Sequence, residues 1–391
     1  MKRRISDKLN ISTFFSAVAV TVCVLMLIEN FPFCRQIIEK AAIMSAKTVL
    51  VSVKIKKEPE SEPEIENSEE NITEHTPEKK IKKPSDEIEE NKTVSSDTLI
   101  DEGFTDEPAD IAQLVKEFTE NAGKDKKDGS IKELTYTTSG VTDKYKNIRV
   151  KNTNDTKINI EKLLGEKPDM KITDKSQPTV LIFHTHTTEA YQILDRSFYA
   201  RGYVTRSEDS SQNMIRVGDA ICTQLEKAGF CTVHDTNIYD KKYNGAYDRS
   251  RVKVREYLEK YPSIQVVLDI HRDAIEYNDG TKVKPVNEIM GKKCAQIMII
   301  SGCQEKGNGI TEFEDWRYNL VFGLHLQKTL EDIFPGITRP LYFCPRRYIM
   351  NESHCNLLVE MGSDANTLSE GVFAGKCLGT ALASLLEEYS T

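Results

Sequence analysis

The sequence lacks the short motifs that mark several common classes of protein. Its nine cysteines form no Cys-x-x-Cys pair, which excludes a zinc ribbon and a thioredoxin-type redox centre. No Gly-x-Gly-x-x-Gly follows a predicted strand, so a dinucleotide site is unsupported. The net charge is −8, and no basic stripe with interleaved aromatic residues occurs, although phosphate binding needs a concentrated basic surface. We therefore expect no nucleic-acid partner.

Long apolar runs are also scarce, and the one that exists lies near the start of the chain. Residues 9–28 carry no charge and follow a basic tip at residues 2–4. About 20 helical residues span the ~30 Å hydrocarbon layer, and the basic flank stays on the cytoplasmic side. We therefore predict a single-pass anchor in the cytoplasmic membrane, with the rest of the chain on the outer side. The alternative is a cleaved signal peptide, since Ala41, Ala42 and Ala46 offer small residues for cleavage.

Composition divides the chain into three parts. Residues 1–32 hold the cytoplasmic tip and the transmembrane anchor, and residues 33–130 hold a juxtamembrane segment and a long charged linker with few aromatic residues. Such a linker cannot bury enough surface to offset the entropy of ordering, so we predict a disordered tether. A catalytic domain is predicted over residues 131–391, with its core at 178–391.

Within that core, short apolar runs alternate with amphipathic segments. The main strand-like runs are TVLIFHTHT, IQVVLDIHRDA and CNLLVEMGS. The segment NMIRVGDAICTQLEKAGF repeats apolar residues at three- and four-residue steps, as an amphipathic helix does, and Gly229 ends it. Strands that alternate with helices predict an α/β fold, with an open, mostly parallel sheet and helices on both faces.

Three of the predicted strands end in polar residues that are suited to chemistry. They are His184, His186 and Glu189 after the first, His271 and Arg272 in the next, and Glu360 in the last. Parallel strands bring these ends to one rim of the sheet, where α/β active sites lie. Zinc takes imidazole and carboxylate ligands and keeps one position open for water, and a nearby carboxylate can accept the proton of that water. The pattern predicts a catalytic zinc site, with Glu360 as the base.

Neighbouring polar residues have supporting roles in this interpretation. Asp269 and Asp273 can orient His271 through its second ring nitrogen. Arg272 can stabilise an oxyanion or bind a substrate carboxylate. A structural role stays open for each residue, because a strand-end histidine is often a hydrogen-bonded part of the core.

The chain also resembles a known family through four segments that occur in order. They are LIFHTHTTEAY, NMIRVGDAICTQLEKAGF, SIQVVLDIHRDAI and NLLVEMGSDANTLSE. Together they resemble stage II sporulation protein P of endospore-forming bacteria, which is similar to the zinc-dependent N-acetylmuramoyl-L-alanine amidases. The resemblance covers about residues 178–391. It implies an amidase, with endopeptidase activity as well, that thins septal peptidoglycan at the forespore during engulfment.

The resemblance further implies partners and residue roles. The partners would be a lytic transglycosylase (stage II protein D) and a membrane protein (stage II protein M). The first zinc ligand of the amidases falls on His186, with His184 as a rival, and the later histidine ligand falls on His271. Their catalytic glutamate falls on Glu360.

The remaining ligand of the amidases is a glutamate that opens the first helix. Here the helix register puts Asp209 nearest to that position, with Glu208 beside it. Glu189 is a rival, since it lies close to His186 in sequence. The third ligand is therefore assigned to Asp209, and this position departs from the family pattern.

Other classes of function stay open. A non-catalytic wall-binding scaffold would keep the fold without a competent metal site, and the unclear third ligand is its main support. A hydrolase that acts on sugar, such as a polysaccharide deacetylase, would use a similar metal set. A thiol protease built on His354 and Cys355 is disfavoured, because adjacent residues on a strand point to opposite faces.

Overall fold

The computed structural model describes residues 99–304 and 312–391. The predicted anchor at residues 9–28 and most of the predicted tether lie outside these ranges. None of the helices within them is both long and apolar enough to cross a membrane. Helix α1 (Ala109–Asn121) lies in the segment predicted as linker, and its Ile111 is buried. The domain boundaries stay predictions.

Twelve strands and six α-helices make up the described part of the chain. The strands are β1 (Lys127–Leu134), β2 (Asp143–Tyr145), β3 (Ile148–Asn152), β4 (Val180–Phe183), β5 (Phe198–Ala200), β6 (Thr232–His234), β7 (Val266–Asp273), β8 (Lys282–Ile289), β9 (Lys292–Ala295), β10 (Ile297–Gly302), β11 (Leu341–Cys344) and β12 (Asn356–Ser363). The helices after α1 are α2 (Ile160–Leu164), α3 (Met214–Lys227), α4 (Ala246–Lys260), α5 (Trp316–Ile333) and α6 (Leu368–Glu387). The runs predicted as strands and helices in the core are present, and α3 ends just before Gly229, whose φ of +84° suits only glycine well.

The main sheet has eight strands in the order β2-β3-β11-β10-β12-β7-β4-β6. Strands β6, β4, β7 and β12 run parallel to one another. Strand β10 is antiparallel to β12, and β11 and β3 follow the direction of β10. The sheet is therefore mixed, and the prediction of a mostly parallel sheet is wrong. The antiparallel direction of β10 results from the β8–β9 hairpin, which connects β7 to β10. A parallel arrangement would need a crossover helix at this point.

A second sheet of four strands, in the order β5-β1-β8-β9, was not predicted. Strands β1 and β8 are rich in charged residues, which makes them similar in composition to the linker. Lys284 of β8 is buried beneath this sheet, with Nζ 2.7 Å from Glu370 of α6 and 2.6 Å from Asp195. A buried charge needs such partners, so these ion pairs fix the second sheet to the helical layer.

Helices cover both faces of the strands that carry the histidines. Side chains alternate along β4: Val180 and Ile182 join the core under α3, α5 and α6, while Leu181 and Phe183 pack with Val254 of α4. The prediction of helices on both faces is confirmed for these strands. We call β6, β4 and β7, with α4 above them, the covered half of the α4 face.

The rest of the α4 face is different. Here Ile300, Cys344 and Leu358 form a small cluster with half-buried side chains around it, and within the described residues none of its members comes from a helix. We call this part, formed by β12, β10, β11 and β3, the open half. It begins where Leu358 of β12 stands beside Asp269 of β7.

The cysteines behave as small core residues. All seven in the described ranges are buried: Cys222, Cys231, Cys294, Cys303, Cys344, Cys355 and Cys377. Burial raises the pKa of Cys355 to about 12, so its thiol is protonated at neutral pH. A thiol protease therefore has no support.

Candidate metal centre

The loop after β4 brings its polar side chains together by local hydrogen bonds. The Thr185 backbone N–H and hydroxyl both donate to the Asp269 carboxylate of β7, at 2.8 and 2.7 Å. The Thr187 hydroxyl turns back to the chain and donates to the carbonyl of His184 at 2.7 Å. The loop thus winds tightly over the end of β7, and His186 and Glu189 come to lie beside the neighbouring strand.

There, His186, Glu189 and His271 form a buried cluster. His186 Nδ1 lies 3.3 Å from Glu189 Oε1, and His271 Nδ1 lies 3.6 Å from Glu189 Oε2. The two imidazole rings are 5.0 Å apart at their centroids. One donor atom from each residue lies within 4.8 Å of the others, close enough to hold a single metal ion.

Glu189 is held in place by the strand and by surrounding cations. Its Oε2 accepts the backbone N–H of Arg272 at 3.1 Å, and its Oε1 lies 3.6 Å from the guanidinium of Arg206. Burial alone would raise the pKa of Glu189. The hydrogen bond from His186 and the positive charges around it instead hold that pKa below its usual range. The carboxylate is therefore ionised, as a metal ligand must be.

His271 has a second acid on its other side. Its Nε2 lies 2.7 Å from Asp269 Oδ1, but the approach lacks hydrogen-bond direction, so Nε2 remains without a hydrogen-bond partner. Burial would lower the pKa of His271, but the charges of Asp269, Glu189 and Glu360 raise it. A ligand histidine commonly places its outer nitrogen against a carboxylate. The predicted role of Asp269 beside His271 agrees with this geometry.

The cluster fits zinc in its donor chemistry. Two imidazoles and one carboxylate are the ligand set of a catalytic zinc site with one open position. Aromatic side chains form its wall: the ring of Tyr247 lies parallel to His271, and that of Tyr243 stacks on His186 with centroids 4.8 Å apart. Tyr243 is 60% exposed, so the cluster lies near the surface on this side. Sequence periodicity gave no signal for either tyrosine.

Glu360 stands next to the cluster on β12. It is the register partner of His271 on the parallel strand β7, so the two side chains share one face of the sheet. Glu360 Oε2 is buried and has no hydrogen-bond partner. Burial and the nearby charge of Asp273 raise the pKa of Glu360. An unpartnered carboxyl group of raised pKa is suited to move protons.

A bulge follows Glu360 and ends its strand pairing. The register between β12 and β7 shifts by one residue between Glu360 and Ser363. Gly362 lies in this bulge with φ +73°, and a Cβ atom there would come within 2.5 Å of Asn366 Oδ1. A glycine is therefore required where the chain turns away from the site.

Asp209 does not join the cluster. It is exposed, and its carboxylate accepts hydrogen bonds from Ser211 and Gln212, which hold a surface turn. Helix α3 starts later than the sequence register assumed, with Asn213 as its N-cap. The assignment of the third ligand to Asp209 is corrected, because the rival Glu189 lies with the two histidines.

His184 is also separate from the cluster. Its Nδ1 lies 2.9 Å from the carbonyl oxygen of Ile270, and its Nε2 lies 2.9 Å from Nε2 of His234. Complete burial and the neighbouring His234 lower the pKa of His184 to about 3, so the ring is neutral. A Cβ atom at Gly218 of α3 would come within 2.7 Å of His184 Nε2. Of the two rival histidines, His186 is the one that reaches Glu189.

The side chain of Arg272 is engaged by backbone carbonyls. Its side chain is buried, with Nε donating to the carbonyl of Ala190 at 3.0 Å and Nη2 donating to that of Thr205. It alternates with His271 along β7, and its Nη1 lies 3.9 Å from Glu189 Oε1. The guanidinium fixes the loop that follows Glu189, and an oxyanion or substrate contact by Arg272 stays a prediction. Asp273, predicted to orient His271, instead pairs with Arg339 at 3.0 Å.

Comparison with known proteins now identifies the family. A family model for stage II sporulation protein P matches residues 28–383. The chain belongs to the stage II sporulation protein P family. Stage II sporulation protein P of Bacillus subtilis (strain 168) is 29% identical over 218 residues, which cover 53% of this chain and 50% of that protein. The chain thus aligns with about half the length of this family member.

The solved structures that match this chain at low identity include two amidases. An N-acetylmuramoyl-L-alanine amidase of Nostoc punctiforme is 12% identical, with a TM-score of 0.32, and the match covers 56% of this chain and 98% of that one. The CwlD amidase from Clostridioides difficile, in complex with the GerS lipoprotein, is 10% identical, with a TM-score of 0.33 and coverage of 54% and 98%. At these scores the likeness carries no functional argument.

Proposed function

We propose that this member of the stage II sporulation protein P family is a zinc-dependent peptidoglycan hydrolase. Its substrate would be the amide bond between N-acetylmuramic acid and the stem peptide, with peptide cross-links as a second class of bond. The observation that carries the proposal is the buried group His186, Glu189 and His271, with Glu360 beside it on the next strand. The family and its sporulation name support a role in septal wall remodelling during engulfment.

Each residue of the group has a distinct task in this reaction. His186, Glu189 and His271 would hold the zinc ion, which when bound supplies a Lewis acid that lowers the pKa of a water molecule toward ~7. Glu360 accepts a proton from the attacking water at its unpartnered Oε2 and returns it to the leaving nitrogen. The charge of Asp269 lies beside Nε2 of His271, on the side of the ring away from Nδ1 and Glu189.

Location and partners follow from the family and from the apolar run at residues 9–28. The chain would be held in the cytoplasmic membrane by one helix, with the catalytic domain on the outer side at the forespore septum. Peptidoglycan, the lytic transglycosylase stage II protein D and the membrane protein stage II protein M would be its partners. The position of Glu189 beside the two histidines supports the hydrolase over the non-catalytic scaffold, because it offers a candidate for the third ligand.

The test is wall digestion by the full-length chain in detergent, with mass analysis of the products and quantitation of bound zinc. Wild type should release free stem peptides and bind about one zinc ion per chain. Glu360→Gln should keep zinc and lose about 10²–10⁴-fold in rate. His271→Ala should lose both, and Lys144→Met, at an exposed site on β2, should lose neither.

Other results would redirect the proposal. Intact walls and no zinc in a folded wild-type chain would favour the scaffold. Soluble sugar products with stem peptides still attached would favour a hydrolase that acts on sugar.

A further inference from the structure

A cavity of about 350 Å³ lies on the open half of the α4 face, and Glu360 forms part of its wall. Its other lining residues belong mainly to β10, β11 and β3 and to the segments that flank them. We propose that this cavity binds the stem peptide of the substrate, and that Lys151 and Arg339 select a peptide with a free carboxylate. The inference rests on the proposed function, since it assigns the peptide side of the same reaction.

Strand register places the cavity in line with the candidate metal centre. One row of paired residues crosses the sheet through Leu358, Ile300, Tyr342 and Lys151, from β12 to β3. The next row joins His271 to Glu360 and Glu360 to Met298. Neighbouring strands lie about 4.8 Å apart, so Lys151 stands roughly 14 Å from the β12 row, about the reach of a short peptide. A substrate cut beside Glu360 would therefore extend along the cavity floor.

The cations of the cavity differ in how strongly they are already engaged. Arg339 is mostly buried and donates from Nη1 to Asp273 at 3.0 Å. Its guanidinium also lies over the Tyr136 ring. Lys151 is exposed, and its Nζ lies 5.3 Å from the centroid of the Tyr342 ring. Two acids, Glu360 and Asp273, also line the cavity, but Asp273 is paired with Arg339. Lys151 is therefore the cation best placed to meet an incoming anion.

The remaining walls suit a peptide. Met298 and Ile300 form an apolar floor, and Tyr342 and Tyr348 stand half-buried beside it. Short apolar side chains such as alanine can lie on this floor while a neighbouring carboxylate reaches the lysine. Charged hydrogen bonds between Lys or Arg and a carboxylate are the strong polar contacts of such sites. The exposed Lys151 favours a peptide with a free carboxylate over a neutral one.

The experiment compares two soluble N-acetylmuramoyl peptides, one with free side-chain and terminal carboxylates and one with the same groups as carboxamides. Full-length wild type should cleave the acid form with a kcat/KM about tenfold higher, and the difference should lie in KM. Lys151→Met should reduce that preference to near unity and leave the amide form unaffected. Arg339→Gln should reduce it too, although this variant also breaks the Asp273 pair. Lys144→Met is the matched control, since it removes another exposed lysine that lies outside the cavity.

Each outcome separates this inference from the proposed function. Equal cleavage of both peptides by wild type, or a preference that survives in Lys151→Met, would overturn the inference and leave the hydrolase standing. If neither peptide is cleaved, the hydrolase proposal fails, and calorimetric titration of the same peptides decides the inference. Binding of the acid form alone, lost in Lys151→Met, would support it, and equal or absent binding of both forms would overturn it.

Discussion

The covered and open halves of the α4 face share the same rows of paired strand residues but differ in what packs on them. In the covered half, α4 packs on Leu181 and Phe183, which have no exposed surface. In the open half, Met298 and Tyr342 remain half-buried around a cavity. The sheet is continuous across the boundary, so the difference comes from what packs on its face. The covered half can fix the candidate metal ligands by packing, while the open half leaves space for the proposed substrate beside the same row of side chains.

The largest expected effect lies at the boundary between the halves. Glu189→Gln should remove bound zinc and reduce wall digestion by about 10³-fold or more, because the metal contributes several kcal/mol to the transition state. Asp209→Asn, the matched change at the residue that the helix register favoured, should alter neither. Zinc quantitation and product release measure both. Retention of full zinc in Glu189→Gln together with its loss in Asp209→Asn would reverse our assignment.

A second pair of variants tests whether the halves differ in packing. Phe183→Ala in the covered half should lower the free energy of unfolding by about 3–5 kcal/mol, since it leaves a cavity in a closed core. Tyr342→Ala in the open half should lower it by less than about 1 kcal/mol, because that side chain already faces space. Denaturant titration followed by the fluorescence of Trp316, the single tryptophan, gives both values. Equal losses of unfolding free energy in the two variants would show that the covered and open halves do not differ in packing.

A third prediction concerns the buried His184 in the covered half. Its pKa is lowered to about 3 by burial, against 6.5 in the unfolded chain, so the unfolded state binds the extra proton below pH 6.5. Its contribution to stability is complete above that pH and is lost as the pH falls toward 3. Between pH 7 and 5, metal-free wild type should lose about 2 kcal/mol more than His184→Gln. Parallel pH profiles for the two proteins would show that His184 is not buried and neutral.

The smallest expected effect is a loss of stability that involves neither the covered nor the open half. Thr367 and Glu370 form a capping box at the start of α6, which packs on the opposite face of the sheet. Thr367→Ala should cost about 1 kcal/mol of stability without a change in zinc content or in turnover of the muramoyl peptides. Altered peptide preference in this variant would mean that α6 influences the open half, and the comparison would need revision.

Much of the main sheet could be predicted from the sequence, because its strands are short apolar runs. The segment around β7 is nearly all apolar up to Asp269, and β12 likewise up to Glu360. The direction of β10 could not be predicted, since the β8–β9 hairpin that reverses the chain contains Pro285 and several charged residues. From the sequence alone, Lys284 would be predicted to lie on the surface. In the fold it is buried with three acidic partners.

The sequence allowed the prediction of site residues that lie at strand ends, but not of those that lie in loops. His271 and Glu360 lie on strands, so their meeting follows from register. Glu189 lies in a loop whose path depends on Thr185 and Asp269, residues that meet only in the folded chain. Side-chain alternation along β7 was available in the sequence and would have separated Arg272 from His271.

The contact between Glu189 and the backbone amide of Arg272 bears on when the metal can be loaded. The two residues are 83 positions apart, and His271 lies on the same distant strand. A nascent or translocating chain therefore cannot assemble the three donors until β4 and β7 have paired, and local sequence alone offers only His186 and Glu189. If the chain is exported before it folds, it crosses the membrane without zinc. The ion must then be taken from the compartment in which the enzyme works, and the supply of zinc there would set how much of the protein is active.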